Sequence, residues 1–183
     1  LGEFDQKGSI PTWFGTRAEL GQLIETAHSH RLSVIADMVY NHNSGADAQE
    51  VNPITKQSRW TLFNPKSGKF ARNWESFHPN KYEAWDEMTF GDMPDLSHRN
   101  PYVFNELINL ARWLIEEIGF DGFRYDFVKG FGAVTIQAMQ EYRYTRNGEY
   151  FAPYGVAEYW DSTSSTLKWV DMANFSNTNP VDA

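Results

Sequence analysis

Three short runs of apolar residues alternate with helical patterns along this chain, and each run ends in polar residues. The runs cover residues 32–39, 120–126 and 154–158. The first helical pattern begins at Thr16, which stands at capping-box spacing from Glu19. Strands that alternate with helices are typical of a parallel sheet, and the pattern predicts an α/β fold containing part of a parallel βα barrel.

Three further helical patterns follow the first. The second helix is predicted from Asn100 as N-cap with Pro101 in its first turn, and we expect Gly119 to end it. The third pattern covers about residues 133–144 and the fourth about residues 161–173. We expect a polar turn before the last strand and a loop at the end of the chain.

Residues 43–99 interrupt this alternation. They lose helical periodicity and are rich in Asn, Pro, Gly, Ser and aromatic residues. A loop of this length is uncommon unless it is functional or carries a small fold of its own. We therefore expect a first part of the barrel (1–42), an inserted irregular subdomain (43–99) and the continuation of the barrel (100–183).

Polar side chains stand at the carboxyl ends of all three apolar runs, where parallel βα barrels carry their catalytic residues. Arg124 and Asp126 are two positions apart, so in a strand they point to the same side. The arginine favours the ionised aspartate and lowers its pKa. A charged carboxylate can act as a nucleophile, so Asp126 is a candidate catalytic residue. The alternative is that Arg124 and Asp126 form an ion pair with a structural role only. Asp37 and Glu158 are the acids of the first and third runs.

The same stretches resemble the α-amylase family of glycoside hydrolases, family 13. The motifs DMVYNH (37–42), GFRYDFVKG (122–130) and GVAEYWD (155–161) are similar to its first three signature regions, in the family's order. The opening LGEFDQKGSIPTWFGT and the segment around TFGDMPDL resemble the archaeal and plant-like branch. The resemblance covers nearly all 183 residues and implies a (β/α)8 TIM barrel, of which this chain holds about strands 3 to 5.

The resemblance implies a retaining mechanism with Asp126 as nucleophile and Glu158 as general acid and then general base. Retaining glycosidases place two carboxyl groups roughly 5 to 5.5 Å apart. Arg124 is expected to keep Asp126 ionised, while the apolar neighbours of Glu158 are expected to raise the pKa of that acid by desolvation. For both acids the structural alternative is an ion pair at a strand end.

Four further residues are predicted to bind substrate. The resemblance implies that His42 donates to a sugar hydroxyl, that Lys129 holds a hydroxyl on the leaving-group side, and that Asp37 supports the site through Arg124. Exposed aromatic rings stack on sugar faces, and Trp160 is the candidate here. Without the motif, a lone histidine such as His42 would be interpreted as structural.

Carboxylates cluster in residues 86–95, at Asp86, Glu87, Asp92 and Asp95. Such acids repel one another unless a cation gathers them, and a hard oxygen site suits calcium. A solvated acidic loop is the alternative. The resemblance implies a calcium cage made by Asn41, Asp86, the carbonyl of Met88, Asp95 and the carbonyl of Gly130. The additional zinc of the archaeal enzymes is not expected, since only His78 of its ligands is present.

Composition limits the remaining possibilities. A net charge of -8 without a basic patch argues against nucleic acid as a partner, and the absence of cysteine excludes disulfides. No apolar run of 18 residues is present to span a membrane. The chain is shorter than a typical barrel of about 250 residues, and the family's third catalytic aspartate motif is missing. We therefore expect a piece of a longer protein, inactive by itself.

The resemblance implies an endo-acting hydrolase of α-1,4-glucosidic bonds, with starch, glycogen or maltooligosaccharides as partners and calcium as cofactor. The alternatives are a transglycosylase, a debranching enzyme or a maltooligosaccharide-forming enzyme of the same family. A non-catalytic carbohydrate-binding relative and a calcium-binding structural domain are further alternatives from other classes. By resemblance we expect an extracellular monomer.

Overall fold

The computed structural model describes residues 3, 8–64, 71–84, 88–175 and 178–183. The strands of these residues are β1 (Ile35–Val39), β2 (Ala48–Val51), β3 (Ser58–Leu62), β4 (Gly122–Asp126), β5 (Tyr144–Arg146), β6 (Glu149–Phe151) and β7 (Tyr154–Ala157). The α-helices of the same residues are α1 (Arg17–Ser29), α2 (Pro101–Trp113), α3 (Ala133–Glu141) and α4 (Thr163–Ala173).

The centre of the fold is a parallel sheet with the strand order β1-β4-β7. Asp37 of β1 is paired with Arg124 of β4, and Arg124 is paired with Val156 of β7. Asp182 extends the sheet beyond β7, since its backbone N–H donates to Gly155 (3.0 Å) and its carbonyl accepts from the N–H of Ala157 (2.7 Å). The predicted parallel sheet is confirmed, although the end of the chain was predicted as a loop.

The hydrophobic core lies on one face of this sheet. Residues of β1 are alternately exposed and buried, with Ala36 and Met38 facing inward. Phe123 and Tyr125 of β4 are fully buried and join the cluster that includes Ile136 of α3. Because strand residues alternate between faces, Asp37, Arg124 and Asp126 are left on the opposite face, where a site can form.

Two predicted helix boundaries are confirmed at atomic detail. Thr16 and Glu19 form the capping box of α1, with the N–H of Thr16 donating to the Glu19 carboxylate at 2.8 Å. After α2 the chain continues as a π-helical turn over Leu114–Ile118 and stops at Gly119. Gly119 adopts φ +97°, a left-handed conformation that glycine reaches without strain.

The third helix is shorter than predicted, and a hairpin follows it. α3 ends at Glu141, and β5 and β6 pair as antiparallel strands around Asn147 and Gly148. Both turn residues have positive φ, 55° and 81°. Asn-Gly is the sequence favoured in two-residue hairpin turns, and here it marks a hairpin where only a polar turn was expected.

Asp121 joins four elements at the amino-terminal end of the sheet. Its carboxylate accepts from the backbone N–H of Val34 (2.8 Å), from Arg146 (2.8 Å) and from Nε2 of His28 at the end of α1 (2.7 Å). These partners outweigh burial, which alone would raise the pKa of Asp121, and lower that pKa below its usual value. The network fixes α1 and the β5-β6 hairpin to the sheet.

Residues 43–99, as far as they are described, contain the antiparallel pair β2-β3 and long irregular segments. Their own apolar contacts include the Phe63 and Phe77 rings, whose centroids are 5.5 Å apart. Backbone hydrogen bonds tie the segment to the end of β1, from Asn43 to Pro94 and from Leu96 to Asn41, both 2.9 Å. Among all described residues, no helix is both long enough and apolar enough to cross a membrane.

Candidate active site

Arg124 is the centre of a cluster of three carboxylates at the carboxyl ends of the parallel strands. Its Nη1 lies 2.8 Å from Oδ1 of Asp37 and 2.7 Å from Oδ1 of Asp126, and its Nη2 lies 2.9 Å from Oε2 of Glu158. The strand register explains the cluster, because Asp37 stands beside Arg124 and the backbone N–H of Glu158 bonds to the carbonyl of Tyr125 (2.8 Å). The four residues meet as the sequence predicted.

Asp126 and Glu158 lie on either side of one guanidinium, since Nη1 and Nη2 of Arg124 bind them at 2.7 and 2.9 Å. Negative charge on one of two neighbouring carboxylates disfavours ionisation of the other, and the shared arginine offsets this repulsion. Retaining glycosidases place two carboxyl groups roughly 5 to 5.5 Å apart, so that one can attack while the other protonates. The arrangement around Arg124 provides two such acids on neighbouring strands.

The pKa shifts of this pair run opposite to the expectation from sequence, which was wrong on this point. Nε1 of Trp160 donates to Oε1 of Glu158 at 2.6 Å, and with the N–H of Phe127 (3.2 Å) it lowers the pKa of Glu158. Burial raises the pKa of Asp126, although Arg124 opposes the shift. The neighbours of Glu158 were expected to desolvate it, but the indole turns its polar edge to the carboxylate.

His42 lies beside this cluster and is covered by an aromatic ring. It is only 9% exposed, and its ring stacks on Phe90 with centroids 4.6 Å apart and planes 6° from parallel. Burial lowers the pKa of His42, which favours the neutral imidazole. Phe90 in turn meets Phe127 edge-on at 5.5 Å. Sequence reasoning missed Phe90, whose only signal is its place in the TFGDMPDL segment.

Lys129 and Trp160 lie on the other side of Glu158. The Lys129 ammonium binds the carboxylate of Asp161 and lies 3.4 Å from the carbonyl of Trp160. The Asp161 bond raises the pKa of Lys129, and Lys129 in turn lowers the pKa of Asp161 to about 2. Trp160 is 76% exposed, so one face of its ring is open to a ligand. Asp161 was not among the predicted site residues.

Four of the five predicted calcium ligands can be located. Asn41 is fully buried, and its Oδ1 has no hydrogen-bond partner, while its Nδ2 lies 3.3 Å from the carbonyl of Met88. A Cβ on Gly130 would lie 2.1 Å from Oδ1 of Asn41, so only glycine fits against this oxygen. Asp95 is buried next to His42, and Asp86 lies outside the described residues.

A cation at this place would therefore depend on amide and carbonyl oxygens. Within the described ranges, no group of three or more His, Cys, Asp or Glu side chains could hold a metal ion. Oxygens of this kind suit calcium, which accepts carbonyl and amide ligands together with carboxylates. The buried Oδ1 of Asn41 and the space kept by Gly130 fit such an ion.

Comparison with known proteins identifies the family of this chain. Residues 5–170 match the family model described as Alpha amylase, catalytic domain. The chain is 27% identical to an alpha-amylase of Bacillus licheniformis over 97% of its length, and 29% identical to the cytoplasmic alpha-amylase of Escherichia coli over 92%. It spans 43% of each of these relatives.

A solved alpha-amylase structure from Geobacillus thermoleovorans superposes with a TM-score of 0.58 at 23% identity, over 87% of this chain and 33% of that one. At this identity the likeness establishes a shared fold, that of the α-amylase TIM barrel. Most of the chain is covered by the family model, and the three strand-end motifs lie inside the matched range. The chain therefore belongs to the α-amylase family and corresponds to part of its catalytic domain.

Proposed function

We propose that the protein containing this chain is a retaining endo-hydrolase of α-1,4-glucosidic bonds in starch-type polysaccharides. The observation that carries this proposal is Arg124, which binds Asp126 and Glu158 at 2.7 and 2.9 Å from neighbouring parallel strands. Membership of the α-amylase family selects the substrate class: starch, glycogen and maltooligosaccharides. The activity is proposed for the whole protein, since the chain spans 43% of the relatives described above.

In the proposed reaction, Asp126 attacks the anomeric carbon while Glu158 protonates the departing oxygen. Arg124, at 2.7 Å from Asp126, favours the ionised form of this acid, whereas a bound sugar would shield Glu158 from water and raise its pKa. Glu158 then activates a water molecule, which releases the product from Asp126.

The surrounding residues are proposed to hold the sugar. The neutral His42 can donate to a hydroxyl, and the Phe90 ring fixes the plane of its imidazole. Lys129, oriented by Asp161, can bind a hydroxyl on the leaving-group side, and the open face of Trp160 can stack on a pyranose. Asp37 has a supporting role, because it holds Nη1 of Arg124 at 2.8 Å.

A structural calcium ion is part of the proposal. Asn41, Asp95 and the carbonyls of Met88 and Gly130 would hold it, together with Asp86. Its chemistry would be that of a hard cation that links oxygens without taking part in bond cleavage. The support is the buried, unpaired Oδ1 of Asn41 and the close approach that Gly130 permits.

The finer architecture is also proposed. We infer that β1, β4 and β7 are strands three to five of an eight-stranded barrel and that residues 43–99 form a subdomain inserted after the first of them. The parallel pairing of Asp182 beside β7 supports this inference, because the chain there runs next to β7 in the direction that a neighbouring barrel strand takes. Assignment to the archaeal and plant-like branch and an extracellular monomer remain predictions from the motifs.

The test uses the full-length protein on soluble starch, with proton NMR of the first product. We expect cleavage inside the polymer with the α-anomer released first, and a loss of at least about a thousandfold in kcat for Asp126→Asn. Asp171→Asn, which neutralises an exposed acid of α4, is the matched control. Release of the β-anomer, or retained activity in Asp126→Asn, would disprove the mechanism. Transfer products in place of hydrolysis would indicate a transglycosylase.

A further inference from the structure

A cavity of about 560 Å³ lies in the 43–99 segment against the start of α2. Its walls include Phe63, Arg72, Glu75, Lys81, Tyr82 and Tyr102. It shares no residue with the candidate active site. Its volume lies within the range of small-molecule sites, which are concave and mostly apolar with a few converging polar groups.

Arg72 is the unusual residue of this cavity. Its guanidinium lies over the ring of Phe63 at 4.5 Å, and its Nε is buried without a hydrogen-bond partner. Burial lowers the pKa of Arg72, even though Asp47 and Tyr102 act in the opposite direction. Buried donors in proteins are almost always paired, so an unpaired guanidinium nitrogen indicates a missing acceptor.

Lys81 is the second cation of the cavity lining. The Lys81 ammonium lies 5.2 Å from the ring centroid of Tyr82. Within the described part of the chain, neither Lys81 nor Arg72 takes part in a salt bridge, whereas Arg99, Arg124 and Arg146 all do. Glu75 is the acid among the lining residues, so the lining carries two cations and one carboxylate.

The amino-terminal end of α2 adds to the positive potential. Asn100 caps this helix by accepting from the N–H of Tyr102 at 3.0 Å, and both residues line the cavity. The first turn of a helix favours negative charge because its N–H groups are aligned. Arg72 and Lys81, which form no salt bridge within the described ranges, stand beside this helix amino terminus, with Glu75 in the lining and Asp47 near Arg72 as the acids. In a chain with a net charge of -8, such a grouping of cations favours an anion locally.

We propose that this cavity binds a small organic anion, with an oxyanion group paired to Arg72 and Lys81 and a compact body packed against the tyrosine rings. Phosphate and carboxylate share the required chemistry, since each offers acceptor oxygens to the Nη groups of a guanidinium. The phenylalanine under Arg72 holds the guanidinium in place, which reduces the entropy lost on binding. The site is independent of the proposed hydrolase activity.

Isothermal titration calorimetry of the full-length protein tests this proposal with four probes. Glucose-6-phosphate and glucuronate present a phosphate and a carboxylate on the same type of body, glucose lacks the charge, and inorganic phosphate lacks the body. We expect both charged sugars to bind more tightly than glucose and than inorganic phosphate, and to bind more weakly at high salt. The ratio of the dissociation constants of the two charged sugars identifies the preferred oxyanion.

Variants assign the binding to this cavity. Arg72→Gln should raise the dissociation constant about tenfold or more, and Lys81→Gln should raise it severalfold. The controls Arg143→Gln and Lys168→Gln remove exposed cations elsewhere and should leave the dissociation constant unchanged. Arg143 is a close match for Arg72, because its guanidinium also lies near an aromatic ring, that of Tyr150, at 5.9 Å. If the Arg72→Gln variant does not fold, the dissociation constant of the Lys81→Gln variant tests the proposal by itself. The proposal would be overturned if neither charged sugar bound, or if glucose bound as tightly as they do. It would also be overturned if the cavity variants bound the charged sugars as tightly as the wild type.

Discussion

The indole nitrogen of Trp160 lies 2.6 Å from Oε1 of Glu158 and donates a hydrogen bond to it. The side chain expected to stack on a sugar therefore also stabilises the charged form of the proposed general acid. Glu158 must hold a proton before it can act, so Trp160 opposes the first step in the empty site. Substrate has to weaken this hydrogen bond or outweigh it.

Trp160→Phe should extend activity of the full-length protein to higher pH. The substitution keeps an aromatic ring but removes the N–H that lowers the pKa of Glu158, so this pKa rises. Since the general acid works in its protonated form, the alkaline limb of the kcat/KM profile should move upward. The measurement is the pH dependence of kcat/KM on a soluble maltooligosaccharide. Trp60→Phe, in β3, is the matched control, and an unmoved alkaline limb would contradict the prediction.

Asp37→Asn should lower kcat without unfolding the protein. Asp37 holds Nη1 of Arg124 at 2.8 Å, and a neutral amide orients the guanidinium less firmly against Asp126 and Glu158. A small displacement of catalytic groups typically costs about 10- to 100-fold in rate. Steady-state kinetics on maltooligosaccharides measure the change, with Asp171→Asn as control. An equal kcat in both variants would show that Asp37 does not position Arg124.

Calcium should raise the melting temperature of the full-length protein by about 2–4 °C at a hundredfold excess over its dissociation constant. Gly130→Ala should abolish this increase, because the added Cβ would lie 2.1 Å from Oδ1 of Asn41. Scanning calorimetry with calcium, magnesium or a chelator measures the difference. Gly21→Ala, within α1, serves as control, since a Cβ there meets no atom within 4 Å and the backbone is not left-handed. A melting temperature indifferent to the chelator would argue against the cage.

Asp121→Asn should lower the free energy of unfolding by about 2 kcal/mol at neutral pH, because it weakens charge-assisted bonds to Arg146, His28 and Val34. The folded pKa of Asp121 lies below its unfolded value of about 3.9, so the charged form stabilises the fold above that pH. This contribution is lost as the pH falls through the folded pKa. Urea unfolding of the wild type and of Asp121→Asn should show that the difference in their free energies of unfolding is smaller at acidic than at neutral pH. A difference that stays constant with pH would contradict the prediction.

The sequence by itself determined the alternation of strands and helices and the meeting of Asp37, Arg124, Asp126 and Glu158. These features follow from local periodicity and from one geometric rule, since the carboxyl ends of neighbouring parallel strands lie at the same edge of a sheet. The capping box at Thr16 and the stop at Gly119 are likewise encoded within a few residues. Motif order was enough to indicate the family.

The tertiary structure decided what depends on contacts between distant residues. The stacking of Phe90 on His42 and the pairing of Asp182 beside β7 join segments whose sequences do not predict each other. The β5-β6 hairpin has strands too short to show an apolar period. The directions of the pKa shifts of Asp126 and Glu158 were predicted wrongly, because a pKa depends on the direction in which neighbouring donors point and on the depth of burial. Trp160 illustrates the reason: its position in the chain reveals a large ring, and only the fold determines that its N–H faces the carboxylate.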